Sequence, residues 1–227
     1  MHDPAAQHEW IAFDFGVTAL GASFHGDWML GAGNELEHIR TYLGPAPASG
    51  RLSLLVEDVL RLRDSGLDGD ELNLLWRATD PPLGGSPEIR GAERAWLDRL
   101  LTVVLPVARA RGATALPMSH PRCAPDGTSA AATEHRRLTA EVVDLIGLLD
   151  QRAEGHYPLA RTRRALVRCA ETVCSELAFR FLLHTANQFW SRLSPETYGR
   201  LEYVSTAFGH GPHVVDAVEY LIEQPAE

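Results

Sequence analysis

Apolar residues recur at intervals of three and four along most of this chain, and glycine or proline ends run after run. That spacing matches 3.6 residues per turn and restricts the fold to packed helices. The clearest run is Leu52, Leu55, Val56, Val59 and Leu60, an amphipathic helix ended by Gly66. Leu36, Ile39, Tyr42 and Leu43 form a stripe over 34–43, which stops at Gly44-Pro45 ahead of a linker, PAPASG. Trp96, Leu100, Val103, Val104 and Val107 predict a helix over 88–111. Pro106 should kink it, because proline removes a ladder donor and crowds the carbonyl of residue 102. Leu138, Val142, Leu145, Ile146 and Leu149 make another stripe. Residues 159–190 read as the longest helical run, with Leu166, Ala170, Val173, Cys174, Leu177 and Phe181 inward. Tyr198, Leu201 and Val204 belong to a further helix, and Val214, Ala217, Val218 and Leu221 to the last.

Helix boundaries carry their own marks. Asp68 and Glu71 have capping-box spacing ahead of Leu72, Leu75 and Trp76. Ser194-Pro195-Glu196 combines a cap, a first-turn proline and a first-turn acid. Thr128 or Ser129 is placed to cap the helix that follows a long loop over 112–129. The segment WIAFDFGVTALGA is ambiguous: Ile11, Phe13, Phe15 and Val17 alternate as in a strand, while Trp10, Phe13, Val17 and Leu20 fit a helix. Helix is the preferred reading, because no second strand stands nearby to pair with it. The expectation is an all-α, irregular multi-helix bundle forming a single helical domain over 1–227, with an acidic lobe over 1–80 and a near-neutral lobe over 88–227.

Charge supports that division. The formal net charge is −9. Residues 1–80 hold 13 acidic and 5 basic side chains, whereas the remainder holds 17 and 16. All basic residues are arginine. A negative field repels a nucleic-acid backbone and attracts a basic partner, although it also serves plain solubility. No apolar stretch is long enough to span a bilayer, and MHDPAAQHEW does not resemble a secretory signal, so a cytoplasmic protein with no membrane partner is expected. Three cysteines, Cys123, Cys169 and Cys174, are no disulfide framework.

Catalytic signatures are sparse. His120 and Cys123, and likewise His210 and His213, are spaced as zinc-ligand pairs, but there is no HExxH or Cys-x-x-Cys. A site assembled from His25, Asp27, His120 and His213, with His184 in reach, would make a metal-dependent helical enzyme; no metal and no cofactor are expected. Cys123, beside Arg122 and near His120, is the one candidate thiol nucleophile, whereas Cys174 falls on a core stripe. Gly31-Ala32-Gly33 lacks the GK[ST] of a phosphate loop. Arg161, Arg163, Arg164 and Arg168 read as a solvated face, or as partners for the acidic helices.

The most informative element is Ser23-Phe24-His25-Gly26-Asp27-Trp28, which sets large apolar surface beside polar groups on one turn. It serves either as a packed corner or as a recognition surface, since tryptophan and tyrosine are favoured interface anchors. The order Gly21-Ala22-Ser23-Phe24-His25-Gly26-Asp27-Trp28, then Glu35 to Leu43, then Leu52–Leu62, then Asp70-Glu71-Leu72 and Leu75-Trp76, resembles the small immunity proteins of bacterial contact-dependent growth inhibition and related polymorphic toxin systems. Those carry a (Y/F)-H-x-D-W turn, an acidic helix, a linker and a Leu-rich helix. The likeness covers residues 10–78. It implies a non-enzymatic protein that binds and neutralises a cognate, basic toxin. The contact residues would be His25, Asp27, Trp28, Glu35, Glu37, Tyr42, Glu57, Asp58, Asp68, Asp70, Glu71 and Trp76. A third reading is a non-catalytic scaffold acting through the 159–190 helix, which an exposed apolar stripe there would favour.

Overall fold

The structure is a computed structural model, and it describes residues 13–44, 49–80, 87–113, 130–152 and 158–223. These residues form an all-α, multi-helix fold with no β-sheet among them. In chain order the helices are α1 (Gly16–Ala22), α2 (Trp28–Gly31), α3 (Glu35–Leu43), α4 (Ser49–Asp64), α5 (Gly69–Ala78), α6 (Glu93–Ala110), α7 (Ala130–Gly147), α8 (Leu159–Thr172), α9 (Ser175–Phe189) and α10 (Pro195–Ala207). A 3-10 helix, Asp216–Leu221, follows. One contiguous apolar core runs through both the acidic and the near-neutral parts of the sequence. No described helix is long and apolar enough to cross a membrane.

Helix α4 lies at the centre, packed by α1 on one side and α6 on another. Its residues 52–59 are all buried, so it is not the one-sided amphipathic helix that its stripe suggested. Ser49 and Gly50, assigned to the linker from sequence, already belong to it. Helix α6 begins at Glu93 rather than at residue 88, because Gly91 turns the chain at φ 79°. It then continues through Pro106 to Ala110.

The run expected over 159–190 is two helices. Val173 closes the first helix, and Cys174 leaves the helical region at φ −167°, ψ 118°. Its Sγ then accepts the Leu177 N–H at 3.4 Å and caps α9. No glycine or proline marks this break. It lets α8 and α9 fold against each other, and their apolar faces are buried there and against α5 and α7. The stripe that the scaffold reading required is therefore buried.

The last segment also differs from expectation in a way that its geometry explains. A 3-10 helix has three residues per turn, so residues three apart share a face. Val215, Val218 and Leu221 are buried accordingly, and Ala217 faces out. Two caps read from sequence are present: Asp68 and Glu71 exchange 2.8 and 2.9 Å hydrogen bonds, and Ser194 Oγ accepts the Thr197 N–H; Asn34 Oδ1, which the sequence reading did not single out, caps α3 by accepting the Glu37 N–H.

Helix α1 has no side-chain cap of its own; instead the Val17 N–H donates to Asp58 Oδ2 of α4 at 3.0 Å. That approach requires Gly16. It sits at φ 67°, and a Cβ there would stand 2.0 Å from Asp58 Oδ2. Gly16→Ala should therefore cost at least about 2–3 kcal/mol, from left-handed strain and the displaced carboxylate together. Gly26→Ala, with open space around it, should stay within about 0.5 kcal/mol. Urea unfolding of the two variants measures the contrast, and equal midpoints would refute the role given to Gly16.

Candidate functional site

The turn that suggested recognition is built on an aromatic cluster. Phe24 is fully buried and meets the edges or faces of Trp28, Trp76 and Trp96 at centroid distances of 5.3, 5.9 and 6.4 Å. Edge-to-face pairs of this kind add about 0.5–1.5 kcal/mol each beyond their buried area. Trp76 Nε1 donates to the Pro87 carbonyl at 3.3 Å. From α3, His38 lies against Phe24 and bonds Ser23 Oγ at 3.0 Å, and burial pushes its pKa below the ordinary value. Trp28 and Trp76 are thus core residues that hold the turn in place, and neither is an exposed anchor. Tyr42 is half-buried against the same core.

What the turn does expose is different. His25 and Asp27 are exposed, and so are Met29 and Leu30 at 67% and 87%. Met29 and Leu30 are thus the large apolar side chains that the turn leaves outside, whereas Trp28, Tyr42 and Trp76 were the anchors expected from sequence. Glu35 is half-buried on α3; Glu37 is exposed, and its Oε2 accepts the Gly33 N–H at 2.9 Å.

The remaining acidic candidates are engaged within the fold. Glu57 is buried and ion-paired with Arg61. Asp58 is buried at 1% exposure. Asp68 and Glu71 cap α5, and Glu71 also lies 3.6 Å from Arg168. Asp70 pairs with Arg161. The arginines of α8 therefore meet the acids of α5. Exposed pairs of this type are worth at most about 1 kcal/mol, but they compete for the carboxylates that a basic partner would need. Glu57 and Asp58 cannot meet a partner from where they stand, and Asp70 and Glu71 already have cations beside them.

Among the described residues no group of three or more His, Cys, Asp or Glu side chains could hold a metal ion. His213 is exposed and bonds Asp216 at 2.7 Å. His120 and Cys123 lie outside the described residues. Cys169 is buried, and burial pushes its thiol well above the ordinary value.

A polar centre that no motif announced lies where α1, α4 and α9 meet. Arg180 of α9 is 1% exposed. Its Nε donates to Glu176 Oε1 at 2.7 Å, and Nη2 to Asp58 Oδ1 at 2.9 Å. Nη1 donates to the Phe15 carbonyl and to Thr18 Oγ1. The Phe15 ring lies 4.2 Å from the guanidinium carbon. His210 Nε2 bonds Glu176 Oε1 at 2.8 Å, and Ser205 Oγ lies 3.3 Å from its other ring nitrogen. Beside this centre, Asp14 bonds His184 Nε2 at 2.8 Å and accepts the Thr18 hydroxyl. The signal for Arg180 was present in SELAFRFLL, where Glu176 and Arg180 stand alone at i,i+4 within an apolar run.

Two carboxylates share one guanidinium, so their protonation diverges. Burial pushes Asp58 up to about 6, against the pull of Arg180. Burial acts on Glu176 as well, but Arg180 and His210 outweigh it and hold Glu176 well below the ordinary range. Burial also works against Asp14, where His184 and Thr18 prevail and lower it. No protein-family model, curated protein or solved structure matches the chain.

Removing Arg180 strands two buried carboxylates. Arg180→Met should cost about 3–5 kcal/mol in urea unfolding, and a loss below about 1 kcal/mol would contradict the pairing. Asp58 gives a pH signature. Between its ordinary value of 3.8 and its folded value of about 6, the folded chain holds the proton more tightly than the unfolded one. Stability from Asp58 therefore falls as pH rises through that window. Glu176 acts with opposite sign, losing its contribution only as pH falls below 4.5. The stability of the wild type minus that of Asp58→Asn should decline across the Asp58 window and level off above it. A flat difference would show that Asp58 titrates normally.

Proposed function

We propose that this chain acts by binding another protein through the α2 turn, and that the partner is a basic toxin neutralised by stoichiometric contact. The observation that carries the reading is the exposed pair Met29 and Leu30 on a turn fixed from beneath by Phe24, Trp28 and His38. Two large apolar side chains at 67% and 87% exposure gain free energy only when something covers them. A rigid support lowers the ordering cost of binding. Asp27 stands beside them, and Glu35 and Glu37 follow on α3, which suits a basic rim on the partner. The likeness of residues 21–28 to the immunity-protein turn points to the same surface. With Glu57, Asp58, Asp70 and Glu71 engaged within the fold, the partner-facing set contracts to His25, Asp27, Met29, Leu30, Glu35 and Glu37.

The test is co-expression in a bacterial host with the product of the adjacent reading frame, followed by calorimetry at low and moderate salt. The wild type should suppress that product's toxicity and bind it, more weakly as salt rises. The double variant Met29→Ser, Leu30→Ser should bind at least tenfold more weakly, about 1.4 kcal/mol, while unfolding normally. Binding that survives the double variant undiminished, or an adjacent product that is neither toxic nor bound, would overturn the proposal.

A further inference from the structure

At the other end of α1 a second surface has a different construction. The last turns of α9, the 3-10 helix and the extended residues ahead of α1 enclose a pocket of about 50 Å³. Asp14, His184, Asn187 and Ala217 line it, together with Arg180, Leu183 and Val214. A single water needs about 10–15 Å³, so the space admits an ammonium group with a water beside it.

Among the described residues no Phe, Tyr or Trp ring lines this pocket, but rings that folding does not bury adjoin its wall residues. Phe13 is 61% exposed, yet it stacks on His213 at 4.9 Å. Tyr220 and Trp190 are 56% and 47% exposed and meet edge to face at 5.9 Å. The Tyr220 hydroxyl donates to Asn187 Oδ1 on the pocket wall. Trp190 closes α9 at φ 53°, ψ 40°, a left-handed position where glycine is favoured. A bulky residue is thus kept, at a conformational cost, where its ring points partly into solvent.

The charges around the pocket are unequal. Asp14 lines it, and Asp58 and Glu176 both hold Arg180, the arginine in its lining, while Arg51 Nη2 donates to the Asp14 carbonyl at 2.7 Å. Near Trp190, Arg152 and Arg192 are each paired, with Asp150 and Glu223. All five donors of Arg180 are taken by Asp58, Glu176, Phe15 and Thr18, so it offers nothing to an anion.

We propose that this pocket is an anchor site for a lysine side chain of a basic protein partner. The ammonium enters beside Asp14 and Asn187, and the alkyl stem lies against Phe13 and Tyr220. The Asp14 carboxylate in the pocket lining attracts the ammonium, and an aromatic ring close to a cation adds to that attraction through its negative quadrupole. The site is a second surface and does not rest on the reading of the α2 turn.

The test uses the full chain and two tripeptides, Ac-Ala-Lys-Ala-amide and its uncharged norleucine counterpart, followed by amide chemical shifts. The lysine peptide should shift Asn187, Ala217 and Tyr220 saturably, at least tenfold more tightly than the norleucine peptide and more weakly in high salt. Ala217 is exposed, so Ala217→Leu narrows the pocket without entering the core, and it should abolish the shifts. Asp14→Asn should remove the preference for lysine. Equal shifts from norleucine, no saturable shifts, or shifts that survive Ala217→Leu would each overturn the proposal. Met29→Ser with Leu30→Ser should leave the lysine response unchanged, so this site and the α2 turn fail independently.

Discussion

The Arg180 guanidinium is the tie on which the rest of the structure depends. Through it α9 is joined to α4 by Asp58 and to the start of α1 by the Phe15 carbonyl. Asp58 in turn completes the N-terminus of α1, whose own sequence supplies no cap. These partners lie 41, 122 and 165 residues apart in the chain. Helix α1 therefore cannot finish its hydrogen bonding until α4 and α9 are in place. A one-turn slip of α9 would set Glu176 or His184 where Arg180 stands, and Glu176 would then oppose Asp58 charge to charge. The ion pair fixes register at a desolvation cost that an apolar contact would not incur.

Much of the helical layout was legible because it is written locally. The stripes of α3, α4 and α10, the Asp68–Glu71 box and the Ser194-Pro195 start all depend on neighbours within a turn or two. What escaped notice depends on tertiary contact. The break at Cys174 uses a thiol as a cap and lacks the usual punctuation. The final segment reads as α-helical until its spacing of three, Val215, Val218 and Leu221, is preferred to four. Asp58 looked like a surface acid because it is charged and stands near Arg51, Glu57 and Arg61 on α4, and the packing of α1 and α9 covers it. At the Phe24–Trp28 turn, the hydrophobic anchor was sought in the largest ring, but the largest ring is the one the core claims.

Formal charge and presented charge also diverge. The first third of the chain has a large acidic excess, yet Glu57, Asp58 and Asp80 are buried, and Asp70 and Glu71 have arginines of α8 beside them. A distant partner senses the total field, whereas a docking partner meets only the side chains left outside. Among the described residues, Asp27 at the α2 turn and Glu37 on α3 are left outside in this way.

The cap on α9 has one more consequence. Cys169 and Cys174 are both buried, one within α8 and the other at the hinge between the two helices. Neither thiol can meet a reagent in water until the α8–α9 hairpin parts. Alkylation at these two sulfurs is therefore a clock for the opening of the hairpin, and a native chain left in oxidant keeps them reduced for as long as that hairpin stays closed.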